Sequence, residues 1–245
     1  MTILSHAIVI CTRSRKTSLI ECLDSISANI GADRVQVIIV LNGISVEEYD
    51  SFKNDLIHQY KLKLKVLHSE PGLTKARNMA LSSTKTDLIT FLDDDVVLPN
   101  DFIVKTELYF VENQDINGAS PRIKDLYRNQ PSKRKLFILS NYGRLTKTGR
   151  NFWVPDLTGS SFKKIDWLPG CCMTYRTKEI ELKTFSSELE NGPSGGYALG
   201  EDVDFSIRMG ELGLIDNLCV EHKQAPSVRD SSRVMSRAIG RWHGY

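Results

Sequence analysis

Leu88-Ile89-Thr90-Phe91-Leu92-Asp93-Asp94-Asp95 joins a largely apolar run to three consecutive carboxylates. Leu88 to Leu92 has the length and residue types of a buried strand. Adjacent carboxylates repel one another, and burial raises the cost of keeping them charged. A hard divalent cation removes that conflict, because Mg²⁺ or Mn²⁺ takes oxygen ligands and also holds a diphosphate. Open α/β sheets bind ligands at the carboxyl ends of their strands, where this triad falls. A solvated turn capping a helix after Pro99 is the other reading of the same residues. The buried strand in front of them favours metal and phosphate.

Working outward, Ala7 to Cys11 reads as a first buried strand that ends at Thr12-Arg13-Ser14-Arg15. A helix follows, with Thr17 as its cap and Leu19, Ile20, Leu23, Ile26 and Ser27 on one face. Val35 to Leu41 is a second buried strand, stopped by Asn42-Gly43. A helical pattern runs from about Val46 to Tyr60, and Leu62 to Leu67 alternates as a strand nearer an edge does. Thr74 is placed to cap a helix carrying Ala76, Met79, Ala80 and Leu81. Another helix, from about Asn100 to Glu112, follows the aspartates. Strands alternating with helices over short connections predict an α/β fold with a largely parallel sheet wound on both sides.

The second half changes character. Arg122 to Arg150 is basic, with Asp125 as its one acid, and reads as irregular with a short helix around Leu136 to Ser140. The glycine-rich stretch Gly192 to Gly196 leads to Glu201-Asp202 and a short helix with Phe205, Ile207, Arg208 and Leu212, ending at Gly213. Asn217 to His222 reads as a last strand.

The chain's 245 residues, 41% hydrophobic and 25% charged, suit a globular α/β protein, and a net charge of +2 does not call for a nucleic-acid partner. Its five cysteines, Cys11, Cys22, Cys171, Cys172 and Cys219, lack zinc or redox spacing. They read as reduced, structural residues of a cytoplasmic protein. The first residues do not form a signal peptide, and no apolar run is long enough to span a bilayer.

No G-x-G-x-x-G or Walker A sequence follows the first strand, so a nucleotide here would be held by side chains and a metal. Thr12, Arg13 and Arg15 stand where a base or phosphate could be met; an exposed basic turn is the alternative. Glu201-Asp202 at a helix start fits either an electrostatic cap or a general base. His222 fits either a structural role or, if its strand neighbours that of Asp95, a nitrogen for the same metal.

Taken in order, "VICTRSR", "VIIVLNGIS", "PGLTKARNMAL", "FLDDDVVLP", "WLPGCCMTYR" and "LGEDVDFSIRMGELG", followed by His222, resemble a family-2 glycosyltransferase. The resemblance implies a GT-A fold: a Rossmann-like, mostly parallel sheet flanked by helices, with a smaller acceptor-side region. It implies one domain over 1–245, with a nucleotide-sugar-binding half at 1–120, an acceptor and catalytic half at 121–222, and a basic tail at 223–245. It assigns Mn²⁺ or Mg²⁺ to Asp95 and His222. Thr12, Arg13, Asn42, Arg77, Asp93 and Asp94 go to the nucleotide-sugar, Asp202 becomes the catalytic base, and Glu201 lies beside it near the acceptor. The implied reaction is inverting transfer from a UDP-linked sugar to a glycan or lipid-linked acceptor, in polysaccharide or glycolipid synthesis. Many relatives carry an acidic residue at the position of Leu41 that bonds the base; here Asn42 is the candidate substitute. A non-catalytic nucleotide-sugar-binding module is the alternative. A sugar nucleotidyltransferase fits less well, because Cys11 to Lys16 contains no glycine.

The basic residues of 122–150, joined by Arg229, Arg233, Arg237 and Arg241, fit either a solvated face or peripheral contact with the inner face of a membrane. Each Lys or Arg near an anionic surface contributes about 1 kcal/mol, and Phe137, Trp153 and Trp242 lie close by to enter the interface. Co-sedimentation with anionic vesicles at low ionic strength, falling steeply with added salt and missing with neutral lipid, is the expected outcome. No pelleting with anionic vesicles at low salt would leave only the solvated face.

Overall fold

The computed structural model describes residues 4–13, 15–125, 143–145, 164–180, 183–191, 197–198 and 200–223. The short helix expected around Leu136 to Ser140, the aromatics Phe137, Trp153 and Trp242, and the arginines of the tail lie outside them.

Four strands of the amino-terminal half, β1 (His6–Thr12), β2 (Gln36–Asn42), β3 (Lys63–Ser69) and β4 (Leu88–Asp93), run parallel in the order β3-β2-β1-β4. They are linked by α1 (Lys16–Ser27), α2 (Val46–Gln59) and α3 (Leu73–Ser82). Then come β5 (Val96–Val97), α4 (Phe102–Glu112), β6 (Gly118–Asp125), β7 (Lys164–Ile165) and β8 (Cys172–Arg176). A small hairpin of β9 (Glu190–Asn191) and β10 (Tyr197–Ala198) precedes α5 (Glu201–Met209) and β11 (Leu212–His222).

The expected parallel sheet is therefore four strands of a longer one, nine-stranded among the described residues. Beyond β4 the order continues β8-β6-β11-β5; β8 is antiparallel to both β4 and β6, and β11 pairs parallel with β6 and antiparallel with β5 and β7. Alternation along β1 divides the core. Ile8 and Ile10 pack with Leu19 and Leu23 of α1, Leu56 of α2 and Phe102 and Phe110 of α4. Ala7 and Val9 pack on the other face with Ala76 and Ala80 of α3 and Phe205 and Met209 of α5. Helices thus cover both faces, as the apolar runs required.

Several local expectations shift. Arg15, not Thr17, is the cap residue of α1; Leu19, Cys22, Leu23 and Ile26 form its buried stripe, so Cys22 takes the place expected for Ser27, which is exposed. In α3 the cap residue is Gly72, at φ 146°, and Thr74 lies buried in the first turn. The amide of Thr74 instead donates to the Glu190 carboxylate, as does that of Lys75 at 3.3 Å. Arg122 to Asp125, read as irregular, belongs to β6. The last helix stops at Gly210, whose φ of 84° breaks it, so Leu212 and Gly213 begin a strand far longer than expected. Ile207 of the last helix is 57% exposed.

Gly118 opens β6 where a Cβ would lie 2.5 Å from Tyr175 Cδ1 and 2.9 Å from Leu212 Cδ2. Tyr175 is itself wedged edge-on against Phe205, 5.1 Å between centroids. Gly118→Ala should therefore overpack this junction and destabilise by about 1–3 kcal/mol. The midpoint of urea unfolding should fall; an unchanged midpoint would mean that the ring moves freely.

Candidate active site at the strand ends

The chain reverses its lateral order at β1, which has β2 on one side and β4 on the other. Crevices at such switch points receive ligands. The turn after β4 carries three aspartates whose surroundings differ. Asp93 is about a third exposed, and one oxygen lies 3.7 Å from Arg77 Nη2. Asp94 is fully buried, expected near the nucleotide but turned inward. It accepts from the Thr12 hydroxyl and from Arg15 Nε at 3.2 Å, and pairs with Arg15 Nη2. Burial pushes its carboxyl up to about 6, against the opposing pull of Arg15 and Thr12. Asp95 is buried, with Oδ2 3.0 Å from Arg15 Nη1 and Oδ1 3.3 Å from His222 Nε2.

The contact with His222 comes from the far end of the sheet. β11 pairs with β5, placing His222 opposite Val96, and the Lys223 amide donates to the Asp95 carbonyl at 2.9 Å. Donor atoms of Asp93, Asp95 and His222 all lie within 4.8 Å of one another. Two hard carboxylate oxygens and an imidazole nitrogen are a donor set suited to Mn²⁺ or Mg²⁺ with open positions for water or phosphate oxygens. Two ligands at right angles on such an ion would stand about 3 Å apart, given metal–ligand distances of about 2.1 Å. The Asp95–His222 spacing matches that, so these residues fit the ion.

Arg77 of α3 is the other organiser. It is 3% exposed and packs over Phe185 and Phe91, 5.2 and 6.0 Å from the ring centroids. Nη1 donates to Glu201 Oε1 at 2.9 Å and Nη2 to the Gly170 carbonyl at 3.0 Å. Expected at the nucleotide, its guanidinium is committed to protein groups, and it joins the two acidic clusters. Glu201, expected near the acceptor, is buried against it.

Asp202 lies on the first turn of α5. Its Oδ2 accepts from the Gly170 amide and its Oδ1 from the Val203 amide, both at 2.9 Å. The second bond satisfies one of the open amides of the helix start, so the cap reading holds in part. Burial pushes its carboxyl up to about 7, and the charge of Glu201 adds to that. Asn42 is buried, with Nδ2 donating to the Thr12 carbonyl at 3.3 Å, while Leu41 beside it is fully enclosed. Arg13 is exposed, outside these contacts.

Sequence reasoning offered Arg15, with Thr12 and Arg13, to a base or phosphate and did not pair it with Asp94 and Asp95, and it gave Gly170 no role. Neither has a local signal, because their partners lie far along the chain. Burial pushes the Cys11 thiol up to about 12 and holds Cys22 and Cys171 well above the usual thiol range, so these sulfurs stay protonated. All five cysteines are free, in keeping with the structural reading.

Residues 7–178 match the profile described as Glycosyl transferase family 2. An "N-acetylglucosaminyltransferase" of Bradyrhizobium diazoefficiens is 23% identical over 240 residues, which is 96% of this chain and 47% of that protein. The chain thus spans about half the length of that curated relative. Among solved structures, S. aureus TarS 1-349 in complex with UDP-GlcNAc superimposes with a TM-score of 0.63 at 16% identity, over 97% of this chain and 66% of that one. GalNAc-T7 with UDP, GalNAc and Mn²⁺ gives 0.73 at 14% identity, over 98% and 48%. At these identities the likeness establishes the GT-A fold.

Replacing Asp95 by Asn removes one hard anion while keeping a side chain of the same size. Isothermal calorimetry should show Mn²⁺ affinity falling at least about ten-fold with the melting temperature preserved. Undiminished affinity would remove Asp95 from the metal set.

Proposed function

The chain belongs to glycosyl transferase family 2, and from that premise we propose that it is an inverting transferase moving a sugar from a UDP-linked donor to an acceptor hydroxyl. The observation that carries the reading is the juxtaposition of the two acidic clusters through Arg77, within reach of Asp93 on one side and bonded to Glu201 on the other. A strand-end carboxylate pair with a histidine and a second carboxylate of raised pKa are the parts that such a reaction needs.

Asp93, Asp95 and His222 would hold Mn²⁺ or Mg²⁺, whose positive charge would offset the charge gathering on the leaving diphosphate. Asp202 takes the proton of the acceptor hydroxyl as that oxygen bonds to the anomeric carbon. The bond from the anomeric carbon to the diphosphate oxygen breaks on the opposite face, and its electron pair leaves with the diphosphate. One displacement inverts the centre and needs a base but no protein nucleophile. A carboxyl titrating near 7 is well matched to a base working at neutral pH.

The UDP assignment is supported by the neighbours crystallised with UDP-GlcNAc or with UDP and Mn²⁺. Thr12 and Asn42 would line the base side, and Leu41 offers no polar group there. A glycan or lipid-linked acceptor, and a peripheral place at a membrane, rest on the basic stretches. No helix among the described residues is long and apolar enough to cross a bilayer. Presence of both Asp95 and Asp202 favours catalysis over a binding module that has lost it.

Asp202→Asn should retain UDP·Mn²⁺ binding and lose transfer by about 10²–10⁴-fold, measured as UDP release from UDP-sugars. In the wild type, the base must be deprotonated, so the rate should climb as pH rises through about 7. Stability follows the opposite sign. A carboxyl raised from 3.8 to about 7 binds its proton more tightly in the folded state, so its contribution to stability falls as pH rises across that window. The Asn variant has no such titrating group, so its melting temperature should vary less than the wild type's across that window. A variant that melts lower than the wild type and keeps its specific activity would establish Asp202 as a helix cap only.

A further inference from the structure

Gly170 sits just before β8, between the two halves of the site. Its carbonyl accepts from Arg77 Nη2 at 3.0 Å and its amide donates to Asp202 Oδ2 at 2.9 Å. Arg77 Nη1 in turn holds Glu201, the residue preceding Asp202. The contacts therefore close a ring: Asp202, the Gly170 peptide, the Arg77 guanidinium, Glu201, and back along the α5 backbone to Asp202. The ring spans α3, the segment before β8, and α5. The Asp93 amide, bonded to the Cys171 carbonyl at 2.9 Å, fastens the same segment to the aspartate turn.

We propose that Gly170 and Arg77 are positioning residues, acting as one clamp that fixes the Asp202 carboxylate relative to the aspartate turn. The inference rests on the reading of Asp202 as the base and adds the device that aims it. Size matters at position 170: a Cβ there would lie 3.2 Å from both Asp202 Cβ and Oδ2 and 3.4 Å from Arg77 Nη2. The glycine thus lets the peptide approach the carboxylate closely, with no demand for a left-handed backbone. Planarity matters at position 77. A guanidinium donates in two directions at once, to a carboxylate and a carbonyl, while a lysine ammonium has no such fork.

The clamp also acts on the charge of the base. The Gly170 amide and the Arg77 cation favour ionised Asp202, while its enclosure and the Glu201 anion oppose ionisation. Among the described residues, the Cys171 thiol and the Tyr175 hydroxyl also lie near it, both held neutral by burial.

The test reads the Asp202 carboxyl directly, by ¹³C NMR titration of the full chain, with UDP release from UDP-GlcNAc and UDP·Mn²⁺ calorimetry alongside. Gly170→Ala should push Asp202 off the amide. Its midpoint should rise by about one pH unit, the scale of one hydrogen bond to a charged group, and UDP release at pH 7 should fall about ten-fold or more with affinity for UDP·Mn²⁺ kept. Glu201→Gln keeps an acceptor for Arg77 and removes a neighbouring anion, so it should move the midpoint downward. Opposite shifts are a signature that loss of packing alone does not give. An unmoved Asp202 midpoint in Gly170→Ala, whether or not the melting temperature drops, overturns the clamp. So does an unmoved midpoint in Glu201→Gln, which also serves if the alanine variant does not fold. A wild type that shows the titration shifts but releases no UDP would overturn the transferase reading and leave the clamp standing.

Discussion

A buried guanidinium carries much of this structure's organisation. Arg77 lies inside the protein between aromatic rings, and its charge is tolerated there because Glu201 and the Gly170 carbonyl accept its hydrogens and Asp93 stands nearby. Leaving one partner of such a pair buried and unmatched costs about 3–5 kcal/mol. The pair is therefore weak as a source of stability and strong as a constraint on geometry. It obliges α3, the segment before β8 and the start of α5 to meet at one place, and the acidic residues are carried there with them.

The three aspartates after β4 illustrate how one local sequence is given different chemistries. Side chains of successive residues leave the turn in different directions. Asp94 goes into the interior, where Thr12 and Arg15 satisfy it, while Asp93 keeps a third of its surface in solvent. Asp95 lies between Arg15 and His222. Arg15 thus compensates two carboxylates from the end of β1, and it does so from the same crevice that a diphosphate would enter.

The second half of the chain supplies what the parallel sheet lacks. β8 inserts beside β4 antiparallel and brings Gly170 to the strand ends, and β11 runs far enough to deliver His222 to Asp95. Burial, against Thr12 and Arg15 for Asp94 and at the start of α5 for Asp202, is what raises these two carboxyls.

What the sequence determined by itself was whatever depends on near neighbours along the chain. Continuous apolar runs identified the buried strands, period-2 alternation the edge strand β3, and a helical pattern the course of α2. The order of six short motifs identified the family, and the aspartate run and Glu201-Asp202 were legible as chemistry because charged residues at strand and helix ends are conspicuous. The structure alone decided which of Arg13 and Arg15 turns inward, that Glu190 rather than Thr74 serves the start of α3, and that Gly170 braces Asp202. It also decided that β8 and β11 interrupt the parallel order. Each of these rests on partners tens to more than a hundred positions apart, such as Arg77 and Glu201, separated by 124. Their choice is made by burial and charge compensation across the sheet, and no local pattern of residues encodes it.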